Sequence, residues 1–211
     1  KYKKTLELLE AEKTYPLKKA VDLAKKTSTT KFDSSVEVHL NLGIDTIQAD
    51  QQIRKTVSLP HGTGKKLRVI AFCGDEKVKE AKAAGAIEAG SEELVKKIEG
   101  GWMGFDKVVA TPDVMKSLGK IAKTLGQKGL MPNPKSGTVT MDIAATVKDL
   151  QGGLIEFRND KQGNLHNIIG KVSFSEAQLE ENLRTYLQAI VEAKPAGVKG
   201  SFIKSITLTT T

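Results

Sequence analysis

Two hydrophobic periods share this chain, and the switch between them constrains the fold more than any other feature. In the middle, short apolar runs alternate with helical patterns. "KLRVIAF" (66–72) predicts a buried strand, and "GDEKVKEAKAAG" a helix with acids in its first turn, where the macrodipole favours them. "AIEAG" predicts a short strand, "SEELVKKIEGG" a helix with Ser91 as N-cap and Gly100 as its stop, and "FDKVVAT" the next strand. "PDVMKSLGKIAKTLG" predicts one helix opened by Pro112, and "TVTM" and "DIAATVKDLQ" a last strand and helix. Strand–helix alternation with short links dictates a parallel sheet covered on both faces, a three-layer, Rossmann-like α/β unit.

The flanks obey a different rule. "SVEVHLNL" (35–42) and "QIRKTVSL" (52–59) alternate at period two, as half-buried strands do. "LIEFRND" and "LHNIIGKVSF" straddle "KQGN" and predict a hairpin, and "SFIKSITLTTT" closes the chain as another alternating strand. Ser175 and Gln178 have capping-box spacing and open a helix striped by Leu179, Leu183, Leu187, Ile190 and Val191. Glycines mark both switches, in "PHGTGKK" (60–66) and "QGGL" (151–154). The expected architecture has two domains. Domain one is an antiparallel α+β domain built from both termini (1–64 and 153–211), and domain two is the inserted α/β domain (65–152).

Charge narrows the partner. The 211 residues carry a net +8, unevenly spread, and three basic runs are free of acid. One lies between Asp50 and Asp75, with Arg54, Lys55, Lys65, Lys66 and Arg68. The second lies between Asp113 and Asp142, with Lys116, Lys120, Lys123, Lys128 and Lys135. The third follows Glu192, with Lys194, Lys199 and Lys204. Any one run could be solvated surface; three together point to a polyanion-binding surface. An aromatic content of 5% argues against a stacking platform for single strands. An RNA partner is then recognised through phosphates, 2′-hydroxyls and shape. Lys31 beside Phe32, Arg158 and Lys161 on the "KQGN" turn, and the hydroxyls of "TLTTT" are the candidates, all in the flanking domain.

Catalysis finds little support. "HGTGKK" resembles a phosphate loop but fails it twice: Leu59 stands where the first glycine belongs, and Lys66 where Ser or Thr would meet magnesium. His39, His61 and His166 have no metal-ligand spacing, and Cys73 reads as a small buried side chain ending a strand. No metal, no cofactor and no catalytic residue is expected. A single cysteine excludes a disulfide framework and fits a reducing cytosol, and no apolar run is long enough for a membrane span.

Five stretches then converge. "VSLPHGTGKKLRVIAF", "GWMGFDKVVATPDVM", "LGQKGLMPNPKSGTV", "IEFRNDKQGNLH" and the closing "TLTTT" resemble the bacterial ribosomal protein L-one family, over essentially the whole chain. The resemblance implies the same inserted architecture and no enzymatic activity. It implies a structural protein of the large ribosomal subunit, cytoplasmic and on the ribosome. Domain one would bind large-subunit rRNA at the mobile stalk next to the exit site, assist release of deacylated tRNA there, and repress its own operon mRNA. Partners would be that rRNA, exit-site tRNA, the operon mRNA and other large-subunit components, with no membrane and no homo-oligomer. The family's rRNA-contacting positions fall on Lys31, Phe32, Ser35, Glu37, Asp160, Lys161, Ser205, Thr209 and Thr211, beside which Arg158 is a further candidate. Ser35 stands where the family more usually has Thr, and the family runs on past Thr211 with Met and Gly that complete a contact triad. The rival expectation is an RNA-binding protein carrying a nucleotide-using α/β enzyme domain.

"GQKGLMPNPKSGTV" (126–139) falls in domain two. Gly126 is expected to stop the preceding helix, Pro132 and Pro134 to fix φ, and Gly129 and Gly137 to permit turns. The loop reads first as structural, with Lys123, Lys128 and Lys135 as a secondary contact to RNA or tRNA.

Overall fold

The structure is a computed structural model and describes residue 5, residues 7–10 and residues 13–211. The chain separates into two compact units, Lys1–Gly64 with Ile155–Thr211, and Lys65–Leu154.

In the first unit, α1 (Leu17–Thr27) precedes β1 (Ser35–Leu42) and β2 (Arg54–Ser58). After the second unit come β6 (Leu154–Arg158), β7 (Asn164–Lys171), α7 (Glu176–Glu192) and β8 (Ile203–Thr210). The sheet order is β7-β1-β8, antiparallel throughout, with β1 in the centre. Alternation in β1 is complete: Val36, Val38, Leu40 and Leu42 are buried, and the residues between them are half-buried on the opposite face. The buried row meets Leu179, Leu183, Tyr186 and Ile190 of α7 and Val21 of α1 in one core. Val191, expected in that stripe, is 58% exposed, because it falls off the face that Leu183 and Leu187 define. The capping box at Ser175 and Gln178 forms as expected. Gly170 lets α7 approach β7, since a Cβ there would lie 2.6 Å from Leu179 Cδ2.

The "KQGN" turn forms, but its flanking strands do not make a hairpin ladder. β6 pairs with β2 in a separate two-stranded sheet, while β7 pairs with β1. Asn159 starts the divergence, because its N–H donates to Ile53 O and its Oδ1 accepts from Ile53 N–H.

The second unit holds β3 (Val69–Phe72), α2 (Asp75–Ala83), β4 (Glu88–Gly90), α3 (Glu92–Glu99) and β5 (Lys107–Ala110). These are followed by the short helices α4 (Met115–Leu118) and α5 (Ala122–Gln127), then α6 (Ile143–Gly152). The sheet is parallel in the order β4-β3-β5. Ile70, Phe72, Val108 and Ala110 pack against α3, α4 and α5 on one face. Val69, Ala71, Cys73 and Val109 pack against α2 and α6 on the other, which makes three layers. Burial pushes the Cys73 thiol pKa up and keeps it a packing residue.

Three expectations fail here. The helix expected over 112–126 is broken into 3-10 turns (Pro112–Val114 and Gly119–Ile121) and α4 and α5, with Gly119 at the second break. The strand expected at "TVTM" shrinks to one bridge, Ala110 to Val139. Ser91 precedes α3 without a capping hydrogen bond from its side chain.

Candidate nucleic-acid interface

The outward face of β7-β1-β8 is polar because β1 alternates. The register builds it in rows. Thr211 donates its N–H to Ser35 O, and Ser35 pairs with Lys171, whose Nζ donates to Ser35 Oγ at 2.9 Å. Glu37 lies between Thr209 and Ile168, and accepts from Thr211 Oγ1 at 2.6 Å. His39 lies between Thr207 and His166. Asn41 lies between Ser205 and Asn164, with Asn41 Nδ2 donating to Asn164 Oδ1 at 2.7 Å. From Ser35 to Asn41 this ladder runs about 20 Å, at roughly 3.4 Å per residue.

Both ends carry the other expected residues. At the Ser35 end, Phe32 is 66% exposed, so it is no core residue, and Lys31 beside it is exposed. The loop is tied down behind them: Asp33 accepts from Ser173 N–H at 2.9 Å and from Ser173 Oγ at 2.8 Å, and Thr30 Oγ1 donates to Phe32 O. At the Asn41 end, the tight turn after β6 presents Lys161, and Arg158 ends β6 just before it, both exposed. Gly163 takes φ +82° there, a left-handed conformation that glycine adopts without strain. Asp160 organises this turn by accepting from the N–H groups of Gln162 and Asn164, each at 2.8 Å. Those donors, Asn164 N–H foremost, lower the Asp160 pKa to about 2. Thr46 Oγ1 closes the turn onto Lys161 O.

Nine of the ten expected residues therefore belong to this sheet face or to the loops at its two ends; Arg158 ends β6, in the separate sheet with β2. Arg158 stands furthest aside, lining a depression of about 300 Å³ with Ile47, Gln52 and Lys161. Asn41, Asn164, Lys171 and two histidines share the face without having been sequence candidates, whereas Thr207 opens the "TLTTT" stretch whose hydroxyls were. Period two in "SVEVHLNL" already put Glu37, His39 and Asn41 on one face, which was the signal for two of them.

The 126–139 loop is built differently. Asn133 anchors it: its N–H donates to Thr138 Oγ1 at 2.8 Å, its Oδ1 caps Lys135 N–H at 2.8 Å, and its carbonyl accepts from Ser136 Oγ at 3.1 Å. Thr138 O accepts from Ala110 N–H, which fastens the loop to the end of β5. Gly126 lies inside α5 and does not stop it; the left-handed turn falls at Gly129, φ +66°, whose N–H bonds Gly126 O. Lys123, Lys128 and Lys135 are exposed, and among the described residues none bonds or pairs with their ammonium groups. The "HGTGKK" segment links β2 to β3 with no helix after it, so it lacks the strand–loop–helix geometry that a phosphate loop requires.

The family described as Ribosomal protein L1p/L10e matches residues 24–211. The chain belongs to that family of ribosomal proteins. It is 54% identical over 210 residues to the large ribosomal subunit protein uL1 of Salinispora arenicola (strain CNS-205), covering 100% of this chain and 88% of that protein. It is 52% identical to the protein of the same name from Thermobifida fusca (strain YX), covering 89% of it. It is 51% identical to that from Thermosipho melanesiensis, covering 91%.

Proposed function

We propose that this family member is a structural constituent of the large ribosomal subunit in the cytoplasm, and that it binds large-subunit rRNA at the mobile stalk through the outer face of β7-β1-β8. The observation that carries the reading is the register, which gathers Ser35, Glu37, Ser205, Thr209 and Thr211, distant in sequence, into adjacent positions on one ladder. Such a face suits a broad, shallow RNA groove. Its hydroxyl, amide and carboxylate groups exchange hydrogen bonds with 2′-hydroxyls, and Lys31, Arg158, Lys161 and Lys171 meet phosphates at its ends. Phe32 offers an apolar ring to a sugar or base. On this reading domain one (1–64 and 153–211) is the rRNA-binding part and domain two (65–152) is the insertion, where Lys123, Lys128 and Lys135 give a weaker contact to stalk RNA or passing tRNA. Assistance to exit-site tRNA release and repression of the protein's own operon mRNA complete the proposal.

The test is co-sedimentation with large subunits, together with binding to a stalk rRNA fragment against an unrelated helix of equal length. Retention on the subunit and preference for the stalk fragment are expected. Equal affinity for both RNAs would overturn the reading of the face. A chain lacking residues 65–152 should keep that preference; a folded product that loses it would refute the division between domains.

A further inference from the structure

Four ionisable groups, Glu37, His39, His166 and Asp160, follow one another in contact from β1 to the turn before β7. His39 Nδ1 and His166 Nδ1 are 2.8 Å apart, with ring centroids at 5.0 Å. His39 Nε2 faces Glu37 Oε2 at 3.7 Å, and His166 Nε2 faces Asp160 Oδ2 at 3.5 Å. The remaining neighbours contribute no competing charge in the same row. β8 places Thr207 opposite His39. On β7 the flanking outward residues are Asn164 and Ile168, and the nearest cation of that strand, Lys171, sits in the row of Ser35. Lys161 follows Asp160 in the turn.

Counting protons on the four ring nitrogens selects a charge state. A contact of 2.8 Å between two Nδ1 atoms needs one proton. With none, two lone pairs oppose each other; with two, the N–H groups collide. Each Nε2 faces a carboxylate, which only accepts, so each is best protonated. Three protons on four nitrogens make one imidazolium and one imidazole.

We propose that His39 and His166 hold a single positive charge between them, and that this charge makes nucleic-acid binding by the face depend on pH. The inference rests on reading the face as an rRNA-binding surface. A polyanion brought here meets two carboxylates, Glu37 and Asp160. The shared proton takes their combined charge from −2 to −1 and keeps both rings turned toward their carboxylates. RNA therefore favours the protonated pair. The sign follows: affinity is highest while the proton is held and falls as rising pH removes it.

The experiment has two arms on the full chain. The first measures affinity for a stalk rRNA fragment from pH 6 to pH 8 at constant ionic strength, for the native protein and for the H39Q/H166Q variant. One linked proton changes affinity by at most about tenfold per pH unit, so partial linkage gives a native loss of about three- to tenfold over the range. The variant should stay within about twofold, with an unchanged circular dichroism spectrum. A flat native profile, or an equal slope in both proteins, overturns the proposal. The second arm reads the ring nitrogens by 15N resonance in the free protein, without RNA. Coupled titration of the two rings is expected, and two independent titrations overturn the shared proton. Absence of stalk RNA binding at every pH would instead fail the rRNA reading, and with it the pH-dependent binding, leaving the second arm to decide the charge state alone.

Discussion

The outer face of β7-β1-β8 mixes acids, hydroxyls, amides and cations on a regular ladder, whereas the 126–139 loop carries lysines and no acid. Charge alone would choose the loop. The proposed reading weighs construction instead and takes the face. In the loop the polar atoms are turned inward: Asn133, Ser136 and Thr138 bond one another and the end of β5, and the lysine ammonium groups are left in water. On the face the polar groups point outward at fixed spacing and pair across strands, Glu37 with Thr211, Asn41 with Asn164 and His39 with His166. The difference teaches that a basic segment can owe its sequence to its own backbone geometry, while the face proposed to bind RNA is nearly balanced in charge, as suits a partner read by hydroxyls and shape.

The largest expected effect concerns the support beneath each region. Asn182 of α7 is fully buried. It accepts from His61 N–H at 3.0 Å and donates to Gly62 O at 2.9 Å and Ile169 O at 2.8 Å. Asn182→Ala strands three backbone groups, each costing about 1–3 kcal/mol where water cannot reach it. Urea unfolding should show a loss of about 3 kcal/mol or more, whereas Asn133→Ala in the loop, which removes one side-chain cap, should cost about 1 kcal/mol. Equal costs would mean the face has no deeper frame than the loop.

Phe32→Ala comes next. Loss of an aromatic contact to RNA costs about 1–3 kcal/mol, roughly ten- to hundredfold in affinity. Titration of the stalk fragment checks it, and a change below twofold would remove Phe32 from the interface.

A smaller effect should appear in acid. The folded Asp160 pKa of about 2 lies below the ordinary carboxylate range. Its contribution is fully present above roughly pH 4 and is lost as pH falls toward 2. More than a third of this side chain is exposed, so screening should hold the effect below about 1 kcal/mol. Asp160→Asn should remove that part of the acid sensitivity, read as amide exchange at Gln162 and Asn164. The loop, with no carboxylate between 126 and 139, should show none.

The smallest effect is expected where the charge is greatest. Replacing Lys123, Lys128 and Lys135 by Gln should change affinity for the stalk fragment by less than about threefold, because screened, exposed lysines contribute little each. A loss exceeding that of Phe32→Ala would reverse the comparison.

Legibility in the sequence tracks the strength of the local rule. Strict alternation placed β1 at residues 35–42 with correct ends, and the Ser175 capping box placed the start of α7. Weak patterns failed. The 112–126 segment is apolar at helical spacing, yet the chain turns 3-10 at Gly119, where no side chain favours the α form. "TVTM" is spent on tying the loop through Thr138 and holding Asp142, the N-cap of α6, through Thr140, and keeps only the Ala110 bridge. Nothing local told β6 and β7 to part, since their partners β2 and β1 lie about a hundred residues upstream. The histidine contact was unreadable for the same reason: His39 and His166 are 127 residues apart, and only the register brings them together.

Amide hydrogen–deuterium exchange of the full chain, free and bound to the stalk rRNA fragment, tests most directly whether the face or the loop receives RNA. Added protection is predicted in the loops at both ends of the face, residues 29–34 and 159–163, and at Thr211, with exchange over 126–139 unchanged. Protection confined to 126–139, with the two end loops exchanging as in the free protein, would contradict the assignment of the rRNA site.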